Sequence, residues 1–397
     1  MKPWLFVMAM VLMVAGGAKA AQKAAFLYAA TDAGTIHQFR VVDTGALQPL
    51  TPPSLRVAAE AIQLVLHPSG RFAYAITVHE RDSGHADAQV FGYRIGPSGT
   101  LTPVASQYCT LASPADGVTM DPKGQFLFVS GENDRLFTFR IQHDGSLTPL
   151  ADNKDVPTFH IDTQADGGGE ATGTDNWSSL TFDPTGHFLY LFTFQNGFDS
   201  RSYSFRSYRL DARGVLHPFG PFTSGPGEIN GCFSTHDGSL FVARRHGADE
   251  GTYGYHIGPR GLLTPASPPV LPNQFAVLVT EGLGGETLWT DSPIDPWRST
   301  LASYRIGRGG QLTRKAAHMG VWPWGKRLRA GIFGRFLYAT DYEPGDSAHK
   351  PQSSLLGFAA TPQETLKALK ALATPPQPLD GRCVSLVVAS GPVSAGK

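Results

Sequence analysis

One short pattern recurs along this chain and constrains the fold before any catalytic residue is considered. A tight turn of Asp/His-Pro-x-Gly or x-Asp-Gly type is followed by a strand of Phe, Leu, Tyr and Val, then by an alternating strand that closes on Gly-x-Leu-x-Pro. The turn stands at His67 to Gly70 (HPSG), Asp121 to Gly124 (DPKG), Asp183 to Gly186 (DPTG) and His236 to Gly238 (HDG), with degenerate copies at Gly284-Gly285 and Gly334. The closing motif reads GALQP at Gly45, GTLTP at Gly99, GSLTP at Gly145, GVLHP at Gly214, GLLTP at Gly261 and GQLTR at Gly310. Units spaced about 45 to 70 residues apart fall in the range where repeats build propellers or solenoids.

The residue types follow from the turns they must make. A tight hairpin needs positive φ, which Gly adopts without steric cost. Pro cannot donate to a ladder, so the Pro of the closing motif belongs on a strand with one free edge, the outermost of its sheet. The strands FLFVS and LFTFRI, Phe126 to Ser130 and Leu136 to Ile141, are apolar enough to need cover on both faces. Stacking the units radially supplies that cover and leaves only short edges.

Units begin their second strands at Phe26, Phe72, Phe126, Phe188, Leu240, Leu288 and Phe336. The first lacks a preceding inner strand, and the chain ends with an orphan apolar segment, Arg382 to Gly391, that resembles Ala61 to Gly70. The expectation is an all-β, seven-bladed β-propeller of four-stranded blades, closed by a C-terminal strand pairing into the first blade. Forty-five Gly and thirty Pro without collagen periodicity agree with many turns between short strands.

Residues 1–20 carry Lys2, an apolar run from Trp4 to Val14 and a small-residue end at Ala18-Lys19-Ala20, the order of a cleaved secretory signal. Residues 21–397 are then expected to form one propeller domain that is periplasmic or secreted. The apolar run is too short for a stable anchor and no later stretch suits a transmembrane helix, so no membrane insertion is expected. Equal numbers of basic and acidic residues, 33 each, argue against broad capture of nucleic acid or anionic lipid, leaving room only for a local patch. Three cysteines, Cys109, Cys232 and Cys383, make no disulfide scaffold, and the last two fall on inner strands as buried thiols.

The repeated pattern DPxGxFLYV, V/F-x-x-Y/F-R-I, G-x-LTP resembles the lactonase propellers, the seven-bladed family that includes bacterial 6-phosphogluconolactonases and fungal carboxy-cis,cis-muconate cyclases. The resemblance implies lactone chemistry carried by a His entering one inner strand, an Arg-His pair entering the next, a Glu ending the second strand of that blade, and an Arg in the blade after. In this sequence Asp116 stands in place of the His, Ser178 and Ser179 in place of the Arg-His pair, and Phe194 in place of the Glu. Arg245, followed by His246 and Gly247, matches the family Arg. Opening a lactone needs a base and a cation for the developing oxyanion. Arg245 suits the second role; guanidinium stays protonated and does not suit the first. Asp116, His79, Glu80 and Glu132 are the nearest replacements for the base by blade position.

Residues entering inner strands or following second strands are expected to converge at one mouth of the central channel: Glu60, Asp116, Glu132, Asp175, Glu228, His246, Glu281, Arg327, Arg329 and Arg382. Such a mixed polar ring suits a small anionic or sugar-like ligand, or a protein partner, bound by a monomer; solvated loop charge is the plain alternative. The cluster His79, Glu80, Asp82, His85, Asp87 fits no established metal motif, and the Gly/Asp-rich segment Asp162 to Trp177 lacks the alternation of a Ca²⁺ loop. Trp289, Trp297, Trp322 and Trp324 read as packing between blades ahead of ligand stacking. No nucleophile elbow, phosphate loop, dinucleotide fingerprint or haem motif is present, so no cofactor is expected.

Overall fold

The computed structural model describes residues 25–57, 60–80, 86–111, 115–131, 135–150, 177–196, 201–226, 228–245, 250–273, 275–282, 285–295, 298–323, 330–333, 336–343, 352–360, 366–368, 377–380 and 383–390. They form seven antiparallel sheets. The second blade shows the plan, with Glu60–Leu66 innermost, then Phe72–Glu80, Ala86–Ile95 and Leu101–Leu111 outermost. The third has Ala115–Met120, Phe126–Gly131, Arg135–Ile141 and a short outer Leu147–Pro149. The fourth has Trp177–Phe182, Phe188–Asn196, Arg201–Leu210 and Leu216–Pro226; the fifth has Glu228–Ser234, Ser239–Arg245, Gly251–Ile257 and Leu263–Pro272. The sixth has Phe275–Gly282, Gly285–Asp295, Arg298–Ile306 and Leu312–Pro323. In the seventh, Ala330–Phe333, Phe336–Glu343 and Gln352–Ala360 are followed by two short outer pieces, Leu366–Ala368 and Gln377–Leu379.

The first blade is composite. Ala25–Thr31, Thr35–Val41 and Leu47–Arg56 run outward in sequence, and the innermost place is taken by Cys383–Ser390, with Leu27 opposite Val388 and Ala25 opposite Ser390. The innermost strands pack side by side in a closed circuit, each against the next and the seventh back onto Cys383–Ser390. This is an all-β propeller shut by its own C-terminus, as the orphan strand implied.

What joins one blade to the next is written in the repeat. Gly99, Gly145, Gly214 and Gly261 have φ of +88°, +89°, +93° and +77°. Each lies against the leading Phe of the preceding blade: a Cβ on Gly99 would meet Phe26 at 2.1 Å, and on Gly145 would meet Phe72 at 2.4 Å. Gly214 and Gly261 sit likewise on Phe126 and Phe188. Glycine is therefore required twice over, by its φ and by the ring it admits. Two residues along from the leading Phe in the first, second, fourth and seventh blades, Tyr28 donates to the Gly99 carbonyl at 2.6 Å, Tyr74 to Gly145 at 3.0 Å, Tyr190 to Gly261 at 2.8 Å and Tyr338 to Gly45 at 2.8 Å. The last of these crosses the closure. Arg40, Arg94 and Arg140 cover Phe26, Phe72 and Phe126 at 5.9, 5.4 and 4.8 Å, shielding the rings with guanidinium planes.

The inner turns are held by their first residue. The Asp121 carboxylate accepts the amides of Lys123, Gln125 and Phe126 at 3.0, 2.7 and 2.6 Å, and Asp183 accepts those of Thr185, His187 and Phe188. Both aspartates are buried, which a carboxylate tolerates when its lone pairs are filled by amides. The prolines expected on free edges are there: Pro49, Pro103, Pro149, Pro218 and Pro265 all lie on outermost strands. Both kinds of Gly turn lie on one face of the ring. The connections from second to third strands and from outermost strands to the next blade lie on the other, the loop face.

Candidate functional site

Backbone register fixes where the predicted residues stand. Glu60 opens the innermost strand of the second blade opposite Val78, and Asp116 is the second residue of the innermost strand of the third. Arg245 ends the second strand of the fifth blade with Glu228 as its backbone partner, at the loop-face end of that blade. The structure thus brings Glu60, Asp116, Glu228 and Arg245 to one end of the ring. Glu132, Asp175, His246, Arg327, Arg329 and Arg382 lie outside the described residues, as does the signal segment 1–20. Glu281 does not belong to this set. It pairs with Glu286 beside the Gly282 to Gly285 turn, at the opposite face, because the inner strand of the sixth blade begins at Phe275, earlier than the repeat indicated.

A feature not legible in the repeat is a register break near the loop-face end of five innermost strands. The pairing skips Val384, Ile62, Asp116, Asn230 and Val277, each left as an extra residue against its partner strand. Bulges of this kind re-aim the chain and are frequent beside functional sites. Asp116 and Asn230 are the two polar residues in these breaks, and Asn230 escaped the sequence reading because nothing in the spacing marks a bulge.

Ser179, at one of the two positions where the resembled family carries Arg-His, has a different employment. Ser179 Oγ accepts the Cys232 amide at 3.0 Å and lies 3.2 Å from the Cys232 Sγ, tying the innermost strands of the fourth and fifth blades. Thr181 and Ser234 repeat the link at 3.1 Å, and Gln63 accepts the Val118 amide at 3.2 Å between the second and third blades. Burial pushes the Cys232 thiol up to about 12, against the smaller effect of the Ser179 hydrogen bond, so it is no nucleophile at neutral pH. Cys232 and Cys383 are buried thiols on inner strands, outside any disulfide, as the sequence implied.

Two polar groupings border the same face. Between the fourth and fifth blades, Arg244 lies over the Tyr203 ring at 5.1 Å and the Tyr253 ring at 5.5 Å, and its Nη1 donates to the Tyr253 hydroxyl at 3.4 Å. Burial raises the Tyr255 phenol there, with Tyr203 and Tyr253 adding and Arg244 opposing. At the hairpin of the first blade, Asp380 accepts from Thr31 at 3.2 Å, from Thr35 at 2.7 Å, and pairs with His37 Nε2 at 2.7 Å. Burial works against the Asp380 charge, yet the His37 and Thr35 hydrogen bonds hold its carboxyl below the usual range. This knot ties the lead-in of the closing strand to the blade it completes. Trp289 is buried to 4 %, in keeping with the packing role expected of it.

The fold and this face define the protein by class, a β-propeller with a polar loop face. Comparisons with known proteins place it no more finely. No protein-family model matches the sequence, and the curated proteins contain no match. Among solved structures, the chain is similar to a protein from Lactobacillus plantarum with TM-score 0.59 and 13 % identity, over 92 % of this chain and 99 % of that one. It is also similar to prolyl oligopeptidase B from Galerina marginata, solved with a hydrolysis and macrocyclization substrate, with TM-score 0.52 and 9 % identity. That match covers 91 % of this chain but spans about half of the enzyme, 52 % of its length. At these identities the likeness is one of fold alone.

Proposed function

We propose that the protein is an exported binding propeller whose loop face takes a small ligand or a protein partner, on a lactonase-type scaffold whose reactive groups have been replaced. The observation that carries this reading is Ser179. It stands where the resemblance calls for part of a catalytic pair and is spent on the backbone of the neighbouring blade. Asp116 at a bulge, Glu60 and Glu228 at the mouths of inner strands and Arg245 in register with Glu228 supply the mixed charge that orients a polar ligand. Glu132, His246, Arg327, Arg329 and Arg382 belong to the same proposed ring by sequence position. The protein acts as a monomer and needs neither metal nor cofactor for this role.

A second reading rests on Arg245, the family residue that remains. In it the protein is a lactone hydrolase of 6-phosphogluconolactonase type acting on a sugar lactone or related cyclic ester. Arg245 holds the anion and Asp116 is the base. Hydrolysis of a panel of γ- and δ-lactones, followed by acid release and corrected for spontaneous opening, separates the two. No turnover above background is the expected result; turnover lost in Arg245→Ala establishes the hydrolase instead.

A further inference from the structure

The joint between the fifth and sixth blades is built differently from its neighbours. Phe26, Phe72 and Phe126 stand opposite Arg40, Arg94 and Arg140 where second strands begin. The same register in the fifth blade pairs Ser239 with His256. A hydroxymethyl group therefore replaces the ring that would pin the next outer turn. Two residues on, Phe241 stands in the Tyr position and has no hydroxyl to give to the Gly310 carbonyl.

The contact that remains is thin. At the joint between the third and fourth blades, a Cβ on Gly214 would meet Phe126 at 2.5 Å and Leu150 at 2.6 Å. On Gly310 it would meet Ser239 Oγ at 3.1 Å and Ala266 at 3.5 Å, so ring and aliphatic side chain are both cut back. The Ser239 hydroxyl is buried and has no hydrogen-bond partner among the described residues, which weighs against the closed joint.

The turn adds to this. In the second to fifth blades the outer turns are stiffened by Pro97 or Pro259, or capped by a carboxylate. Asp144 accepts the Ser146 amide, and Asp211 those of Arg213 and Val215, each at 2.9 Å. The sixth blade's turn reads Gly307-Arg308-Gly309-Gly310, with φ of +68° and +76° at the last two. With glycine at all but one of these positions, the turn gains more backbone freedom on opening than a capped one. Beneath it the core is continuous, with Phe241 and Ala243 packed against Leu288, Ala302, Tyr304 and Ile306 of the sixth blade.

We infer that the outer hairpin of the sixth blade, around Gly307 to Gln311, is a hinged flap that lifts from the fifth blade while the ring beneath it stays closed. Lifting uncovers Ser239 and Ala266, both buried when the flap is down. The flap lies on the turn face, opposite the proposed ligand site, and is independent of it.

Maleimide labelling of Ser239→Cys in native buffer, read at each thiol by mass spectrometry, tests the flap. Cys232, buried on the inner strand of the same blade, is the internal control. The introduced thiol is expected to label about a hundredfold faster than Cys232, since one ring burial and one hydrogen bond are missing from its joint. Its rate should be indifferent to low urea, as local opening is. Labelling at the pace of Cys232, or a rate that climbs with urea as global unfolding does, overturns the inference. In the wild type, the Gly307 and Gly310 amides are expected to exchange faster than those of Gly258 and Gly261, which make the same turn bonds in the fifth blade. Equal exchange overturns the inference too, whether or not the variant folds.

Discussion

Gly99→Ala puts the joint between blades to a direct test. At φ +88° an alanine is strained by about 1 kcal/mol. Its Cβ would stand 2.1 Å from Phe26 Cδ1, a ring with no exposed surface and no room to retreat. Forcing a carbon into such packing costs about 1–3 kcal/mol more, so the expected loss is about 2–4 kcal/mol. Gly238→Ala supplies the control. Its φ is +83°, but the nearest atom to the new carbon is the Ile257 carbonyl oxygen at 3.8 Å, ordinary contact, leaving the strain of about 1 kcal/mol alone. Urea unfolding followed by tryptophan fluorescence gives both midpoints and slopes. Equal losses, or a larger loss for Gly238→Ala, would refute the claim that the turn glycines are selected by the neighbouring blade's ring.

Other consequences are open to measurement. Tyr74→Phe removes the donor to the buried Gly145 carbonyl and should cost about 1–3 kcal/mol, read by the same unfolding assay. The Asp380 carboxyl is held below its ordinary range, so its contribution is complete at neutral pH and lost as pH falls through the folded value. The thermal midpoint of the wild type should therefore drop more steeply below about pH 4 than that of Asp380→Asn. Cys232, with its thiol pushed up to about 12, should resist iodoacetamide at mildly alkaline pH and react at once in denaturant; rapid labelling of the native protein would contradict its burial.

The fold was legible because the repeat encodes local requirements that do not depend on the rest of the chain. Gly45 and Gly99 need positive φ, Asp121 and Asp183 must accept turn amides, and Pro103 must sit where no donor is missed. The closing strand was legible for the same reason, since Cys383 to Ser390 repeats the inner-strand pattern with nothing of its own to pair with. The site was read less well. A single skipped residue at Asp116 or Asn230 shifts the pairing of the strand and leaves no mark on spacing. Glu281 was assigned to the wrong face because the sixth blade's turn, Gly282 to Gly285, has lost the Asp-Pro signal that fixes the register elsewhere. Ser179 could be seen as a departure from the family pattern, but its link to Cys232 spans two blades and has no local signature.

Amide hydrogen exchange resolved to the first and last strands tests the closed ring most directly. Each residue of Ala25–Thr31 is expected to be as protected as its partner in Cys383–Ser390, Leu27 with Val388 and Ala29 with Leu386, because the two strands open together. Fast exchange across Cys383–Ser390 while Ala25–Thr31 stays protected would contradict the closure.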